Sequence, residues 1–411
     1  MFSTSPSDLP RTQALILAGG QGKRLYPLTV SRPKPAIPFG GIFRIVDFTL
    51  SNCLHSKLHH AALLTQYLHE ELHSYIRLGW SEVWKNSRHA TEPLYCLPPC
   101  AGKRYRGTAD AVFHNLSLLQ SNRPDYVLIL SADQVYHMDY RELLAQHVQS
   151  GADVTVATLE HQLSDASHFG VVEVDNGSRV TGFEEKPEAP CPISSRPDRA
   201  VVSMGVYAFN TDVLVKTLTE NCESRFGYDF GHHIIPSLIE SARVYAYDFR
   251  DTSIDAPRYW RDIGTIDSYY RASMDLVRPD SAFSPHVNDY EGSQITHHPG
   301  SSDRSDESSL TARVHSNCQV SRTVLSPGVH IEESATIEDS VLMAGVRIAP
   351  GAAVRHAIVL EGVQIPSDFR VGWDEFEDRK RYMVSPDGVV VVNHTPKIMK
   401  PVAASSKHAV A

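Results

Sequence analysis

The sequence predicts a chain in two parts. Residues 1–278 form an α/β domain with a mostly parallel sheet, and residues 314–411 form a short left-handed parallel β-helix, joined by a linker at 279–313. Three observations carry this. Short apolar runs at 14–17, 61–66, 126–130, 153–159 and 201–209 are interspersed with helical patterns such as 141–149 and 229–241, and strands alternating with helices build parallel sheets whose ligands lie at the carboxyl ends of the strands. Residues 279–309 are rich in Ser, Asp, His, Pro and Gly, a linker composition. From 314 to 373 the helical period vanishes and aliphatic residues recur six apart, in the pairs Ile331/Ile337, Ile348/Val354 and Val359/Ile365, with Gly328, Gly345, Gly351 and Gly362 at the corners. This is a hexapeptide pattern.

Taken in order, the first strand, 14–17, is apolar throughout, as a strand covered on both faces must be. Gly19, Gly20 and Gly22 follow at once, and without Cβ atoms they let backbone N–H groups converge on phosphate oxygens. Lys23, Arg24, Arg32 and Lys34 supply the countercharge, so the stretch points to a polyphosphate. It is not a Walker A loop, because Leu17 and Arg24 stand where Gly and Ser or Thr are needed. Nor is it a dinucleotide fingerprint, whose third glycine would fall at Leu25. The second strand closes on Gln66, and LHEELHSYIRLGW after it has helical spacing. In RYRGTADA, residues 104–111, Gly107 precedes a helix that the Thr108 and Asp110 side chains are placed to cap. The third strand opens into SADQVY and puts Asp133 at a strand end, where a carboxylate can hold Mg²⁺ together with substrate phosphates.

The balance of 39 Lys and Arg against 48 Asp and Glu gives a net charge of −9, which argues against a nucleic-acid binder and leaves the basic N-terminal cluster to meet a small anion. MFSTSPSDLP lacks the features of a secretory signal and no run approaches the length of a membrane span, so a cytoplasmic protein without membrane partners is expected. The six cysteines, 53, 96, 100, 191, 222 and 318, include no CxxC pair and are expected to be reduced thiols.

LAGGQGKRLYPLT, SRPKPAIPFGG and FRIVDFTLSN together resemble the opening of the sugar nucleotidyltransferases, and within that family the enzymes that use ATP and glucose 1-phosphate; YWRDIGT and FEEKP extend the likeness. The resemblance implies a Rossmann-like, GT-A-like catalytic domain and direct in-line, Mg²⁺-assisted adenylyl transfer to ADP-glucose and diphosphate, the first committed step of glycogen synthesis. It further implies catalytic roles for Arg24, Lys34 and Asp133, with Gly19, Gly20, Gly22, Gln66, Gly107 and Thr108 on the nucleotide. Tyr105, Gly170, Glu185, Lys186, Ser203 and Trp260 would meet the sugar phosphate, Asp133 and Asp262 would share Mg²⁺, and Arg32 and Arg44 would meet phosphorylated or anionic allosteric effectors. A homotetramer, with or without a second isoform, is the implied assembly. The chain departs from the family at Ala132, at His232 and His233, and at Ile42 and Ser31, where relatives carry Gly, Lys-Asp, Lys and Lys. These departures leave open a non-catalytic regulatory subunit, and the shared fold leaves open a UTP- or dTTP-using enzyme. A hexapeptide acyltransferase is the third alternative, but the repeat segment lacks the several long turns that such a fold needs.

Overall fold

The computed structural model describes residues 10–58, 60–87, 93–100, 103–224, 227–278 and 312–396. Nearly all of the expected linker and most of the tail after Thr395 lie outside the described residues. Among the described residues the chain divides into two units, the first holding residues 10–39 and 43–268, the second Gly40–Ile42 and residues 269–278 and 312–396.

The first unit is built on a nine-stranded sheet. Its strands are β1 (Thr12–Ala18), β2 (His60–Thr65), β3 (Tyr95–Leu97), β4 (Tyr126–Ser131), β5 (Val154–Gln162), β6 (Gly170–Val174), β7 (Val180–Glu185), β8 (Arg199–Asn210) and β9 (Val244–Asp248). The order is β7-β6-β8-β4-β1-β2-β3, with β5 on β8 and β9 on β5. All five strands expected from the sequence are present. Strands β3, β2, β1 and β4 are parallel, whereas β8 runs antiparallel to β4, β5 and β6.

Alternate residues of β1 feed two cores. Ala14, Ile16 and Ala18 pack with Leu63, Leu128 and Leu130 and with Val46, Leu50 and Cys53 of the helix Ile45–His55. Leu15 packs on the other face with Ala62, Ile129, Val112, Leu214 and Ile235. Both faces are covered, which is why the strand carries no polar alternation. The helical pattern after Gln66 forms as His69–Tyr75, a π turn Ile76–Trp80 and Ser81–Asn86. The pattern expected over 229–241 is shorter, a π turn Phe230–Ile234 running into Ile235–Leu238.

In the helix Tyr140–Gln149, His147 is fully buried, with Nδ1 2.7 Å from Thr155 Oγ1 and Nε2 3.2 Å from Asn210 Oδ1. Burial pushes its pKa below the usual imidazole range. The folded chain therefore keeps it neutral while the unfolded chain takes up a proton at about pH 6.5. Its contribution is complete above that pH and is lost as the pH falls towards the folded-state pKa. The melting temperature of this unit should accordingly drop between pH 7 and pH 5, with a shallower drop in His147→Gln; parallel curves for the two proteins would show that His147 is not the group involved.

The second unit is a parallel β-helix. Arg313 pairs with His330, His330 with Arg347 and Arg347 with Gln364, so one coil takes 17 residues. Inward aliphatic residues advance by six, five and six, as from Ile331 through Ile337, Leu342 and Ile348, all buried. The step of five is why the sequence shows paired six-residue intervals and not an unbroken repeat. Gly328, Gly345, Gly351 and Gly362 have φ of 70, 69, 70 and 69°, so the expected corner glycines occupy the left-handed region that favours Gly. The stack extends beyond Trp373: after a short helix Glu375–Arg379, Val390–Val392 pairs in parallel with Ala357–Val359. The sequence reading missed this last rung because the helical insertion breaks the six-residue spacing.

Candidate active site

The carboxyl ends of β1, β2 and β4 lie side by side and lead into the glycine turn, Gln66 and Asp133 respectively. Gly22 has φ 64° and opens the short turn Lys23–Leu25; a Cβ there would lie 3.0 Å from Lys34 Cβ. Thr29 Oγ1 donates to Gly22 O at 3.2 Å and steadies the turn. Gly19 lies against Gln66, while Gly20 faces open space.

Asp133 and Asp262, 129 positions apart, are brought together by a two-stranded antiparallel ladder in which Trp260–Asp262 pairs with Gln134–Tyr136. The Ile263 N–H donates to Asp133 O at 3.3 Å. Between the carboxylates stands the Lys34 ammonium, 2.7 Å from Asp133 Oδ2 and 3.4 Å from Asp262 Oδ1. Lys34 is only 7% exposed, and although burial opposes its charge, the two carboxylates hold its pKa above the ordinary lysine value. Burial also acts to raise Asp133, but the Lys34 charge and hydrogen bonds from Lys34 and Ser131 outweigh it and keep that carboxyl below the usual range. Burial and the Asp133 charge push Asp262 above it, against Lys34 and Arg24. Arg24 closes the cluster: a Cβ on Gly264 would meet Asp262 Oδ2 at 2.5 Å and an Arg24 guanidinium nitrogen at 3.1 Å. Gly264 therefore leaves the room in which Arg24 approaches Asp262.

Ala132, a departure from the resembled pattern, is fully buried and donates its N–H to Leu17 O at 3.1 Å. It is not among the residues with positive φ, so its methyl costs no backbone strain. Two hard oxygen donors already arranged about a positive charge fit a divalent cation whose other ligands come from phosphates and water. The donor set thus suits a divalent metal ion.

The stretch that includes Tyr105 is clamped to the end of β2 by Gln66, whose Oε1 accepts the Tyr105 N–H at 2.5 Å and whose Nε2 donates to Tyr105 O at 3.4 Å. Gly107 is pressed on Tyr228, where a Cβ would fall 2.2 Å from the Tyr228 carbonyl oxygen. Thr108 does not cap its own helix as expected. Its hydroxyl donates to Asp229 Oδ2 at 2.9 Å and accepts from the Phe230 N–H at 3.0 Å, at the start of the distant π turn Phe230–Ile234. Asp110 accepts the Arg106 N–H at 2.9 Å and pairs with the Arg106 guanidinium.

On the other side of the sheet end, Glu185 of β7 stands opposite Gly170 of β6. Cβ atoms on Gly170 and Gly231 would lie 2.9 and 2.4 Å from Glu185 Oε2, so the two glycines make space for that carboxylate. Lys186, with φ 53°, places its ammonium 2.5 Å from Glu185 Oε1. The Ser203 hydroxyl is buried and accepts from the Gly205 N–H at 3.1 Å. Trp260 is buried against Phe169, with ring centroids 5.3 Å apart. Both side chains are buried. Arg44 pairs with Glu71 and its guanidinium lies 4.1 Å from the Tyr75 ring centroid. His232 and His233 have ring centroids 6.0 Å apart, and among the described residues no group of three or more His, Cys, Asp or Glu side chains converges to hold a metal.

The resemblance gave no role to the second half of FRIVDFTLSN. Thr49 Oγ1 donates to Ser131 O at 2.9 Å, Asn52 Nδ2 donates to Tyr136 O at 3.2 Å and Asn52 Oδ1 accepts the Met138 N–H at 3.1 Å. Ser56 Oγ accepts the Tyr140 N–H at 2.7 Å. These residues brace both sides of Asp133. For Thr49 and Asn52 the signal in the sequence was a polar side chain in a stretch that also carries Val46, Phe48, Leu50 and Cys53.

The nucleotidyl transferase family matches residues 13–278, and a GlmU-like C-terminal hexapeptide family, a left-handed β-helix, matches residues 296–392. Glucose-1-phosphate adenylyltransferase 2 of Vibrio cholerae is 42% identical over 398 residues, covering 93% of this chain and 97% of its own. The protein of the same name from Alkalilimnicola ehrlichii is 41% identical over 419 residues, covering 97% and 98%. Glucose-1-phosphate adenylyltransferase of Nitrosomonas europaea is 40% identical over 410 residues, covering 94% and 93%. Among the described residues no helix is long and apolar enough to cross a membrane. With a glycine turn, a shared carboxylate pair and relatives similar over nearly their whole length, the chain belongs to the glucose-1-phosphate adenylyltransferase family of nucleotidyl transferases.

Proposed function

We propose that this chain transfers the adenylyl group of ATP to glucose 1-phosphate, giving ADP-glucose and diphosphate. The observation that carries the reading is the Lys34 ammonium set between Asp133 and Asp262 beside the glycine turn. A phosphate oxygen of the sugar attacks the α-phosphorus; the nucleophile is already anionic, so proton transfer is not the main task. Positioning and charge neutralisation are. Mg²⁺ bound by Asp133 and Asp262 would neutralise triphosphate charge there. Gly19, Gly20 and Gly22 offer backbone N–H groups, Arg24 and Lys34 bring positive charge to the reacting phosphates, and Gln66, Gly107 and Thr108 hold the nucleotide side in shape. Glu185 takes hydroxyl hydrogens of the sugar and Lys186 its phosphate. Diphosphate release measured with ATP, UTP, dTTP and GTP should show turnover with ATP well above the others; no turnover with any nucleotide would favour a regulatory subunit.

Lys186→Ala should raise KM for glucose 1-phosphate with little change in kcat, since a charge contact made before and during reaction contributes uniform binding. A rise confined to the KM for ATP would place the residue elsewhere. The same proposal includes a cytoplasmic homotetramer, open to test by sedimentation, and anionic effectors at Arg32 and Arg44. An effector that takes Arg44 must compete with Glu71, and the neutral Ser31 offers no charge to help.

A further inference from the structure

Gln134 directly follows a proposed metal carboxylate, yet its side chain turns away from the carboxylates. It is 7% exposed; Nε2 donates to Met204 O at 2.6 Å and Oε1 accepts from Trp260 Nε1 at 3.1 Å. Its backbone stands opposite Asp262 in the ladder that unites the two carboxylates. Met204 lies where the pairing of β8 with β5 slips between Ser203 and Tyr207, beside Gly205 with φ 66°. Trp260 packs on Phe169, whose carbonyl accepts the Lys186 N–H at 3.0 Å, next to the Gly170 that makes room for Glu185. One amide therefore ties together the segment bearing Asp133, the strand bearing Asp262 and the β8 slip, and through Trp260 it reaches the sugar side.

We propose that Gln134 is a positioning residue that locks the carboxylate pair and the sugar-phosphate pocket into one arrangement. This rests on the adenylyl-transfer reading. The chemistry needs a side chain that donates at one end and accepts at the other, which a neutral amide does. Leu leaves Met204 O and the Trp260 indole N–H without their partner, and Glu sets a carboxylate oxygen against Met204 O. Buried groups left unpaired in this way pull their segments towards other partners. A displacement of about 1 Å at a reacting centre is enough to cost roughly 100-fold in rate.

The test uses the full chain with Gln134→Leu, Gln134→Glu and Gln134→His. Mn²⁺ alone is titrated into the free protein by calorimetry, kcat and the KM for glucose 1-phosphate are measured, and the melting temperature is recorded. Expected for Leu and Glu are an approximately tenfold or greater loss of Mn²⁺ affinity and of kcat, together with a raised KM for the sugar phosphate. Gln134→His, whose ring carries one donor and one acceptor, should recover much of both. If the Leu variant does not fold, the Glu variant, which keeps the acceptor for Trp260, decides. A folded Leu or Glu variant with wild-type Mn²⁺ affinity and kcat and only a lower melting temperature overturns the proposal. A wild-type chain that turns over no nucleotide instead refutes the transferase reading, and the Mn²⁺ titration still tests whether Gln134 holds the carboxylates.

Discussion

Asp133→Asn is expected to fold like the wild type and to turn over at least about 100-fold more slowly, the usual effect of removing one preorganised charge-stabilising group. The fold should survive because the Asp133 backbone keeps its bond from Ile263 and the neighbouring segment is held by Thr49 and Asn52. The chemistry should not. Asp133 takes the Lys34 ammonium at 2.7 Å and the Ser131 hydroxyl at 2.5 Å, and it is the carboxyl that the Lys34 charge holds ionised in spite of burial. Asn is neutral and presents an NH₂ to one of those two donors. It weakens the grip on a divalent cation and leaves Lys34 with a single carboxylate. Initial rates with saturating ATP and glucose 1-phosphate, beside a retained cooperative melting transition, check this. Turnover within a fewfold of the wild type would remove Asp133 from the site.

Asp47→Ala should have the largest effect on stability. Asp47 is 1% exposed and accepts three hydrogen bonds of 2.7 Å, from the Arg44 N–H, the Tyr75 hydroxyl and the Trp80 indole N–H. Ala leaves the buried Tyr75 and Trp80 donors without an acceptor. At about 1–3 kcal/mol for each of these two orphaned buried groups, a loss of roughly 2–6 kcal/mol follows. The melting transition in a calorimetric scan should move down by many degrees. A variant that keeps the wild-type transition would show that the donors find other partners. Activity below the transition should also fall, because the helix Ile45–His55 that Asp47 anchors carries Thr49 and Asn52 under the Asp133 segment.

Local features were legible in the sequence wherever a few consecutive residues determine the outcome. The all-apolar β1 announces a strand buried on both faces, Gly22 a turn with positive φ, and aliphatic residues six apart the faces of a coil. Each depends on backbone conformation or side-chain periodicity, which neighbours along the chain largely set. Partners distant in sequence were not legible in this way. No spacing joins Asp262 to Asp133, and only a ladder of three residue pairs brings them together. Thr108 looks like the cap of its own helix, yet it caps the turn at Phe230, because Gly107 lets the chain press on Tyr228. Ser203 and Trp260 carry hydrogen-bonding groups that look available to a ligand, but the Ser203 hydroxyl takes the Gly205 N–H and the Trp260 indole N–H is given to Gln134.

The sequence by itself determined the fold class, the glycine turn after the first strand and the residue types that the proposed metal-assisted transfer requires. Tertiary structure alone decided which carboxylates share a lysine, which polar side chains brace the site from behind and which face outward. The physical reason is that hydrogen bonds and charge contacts of a few ångströms depend on how distant strands pack and register, and a one-dimensional pattern does not contain that information.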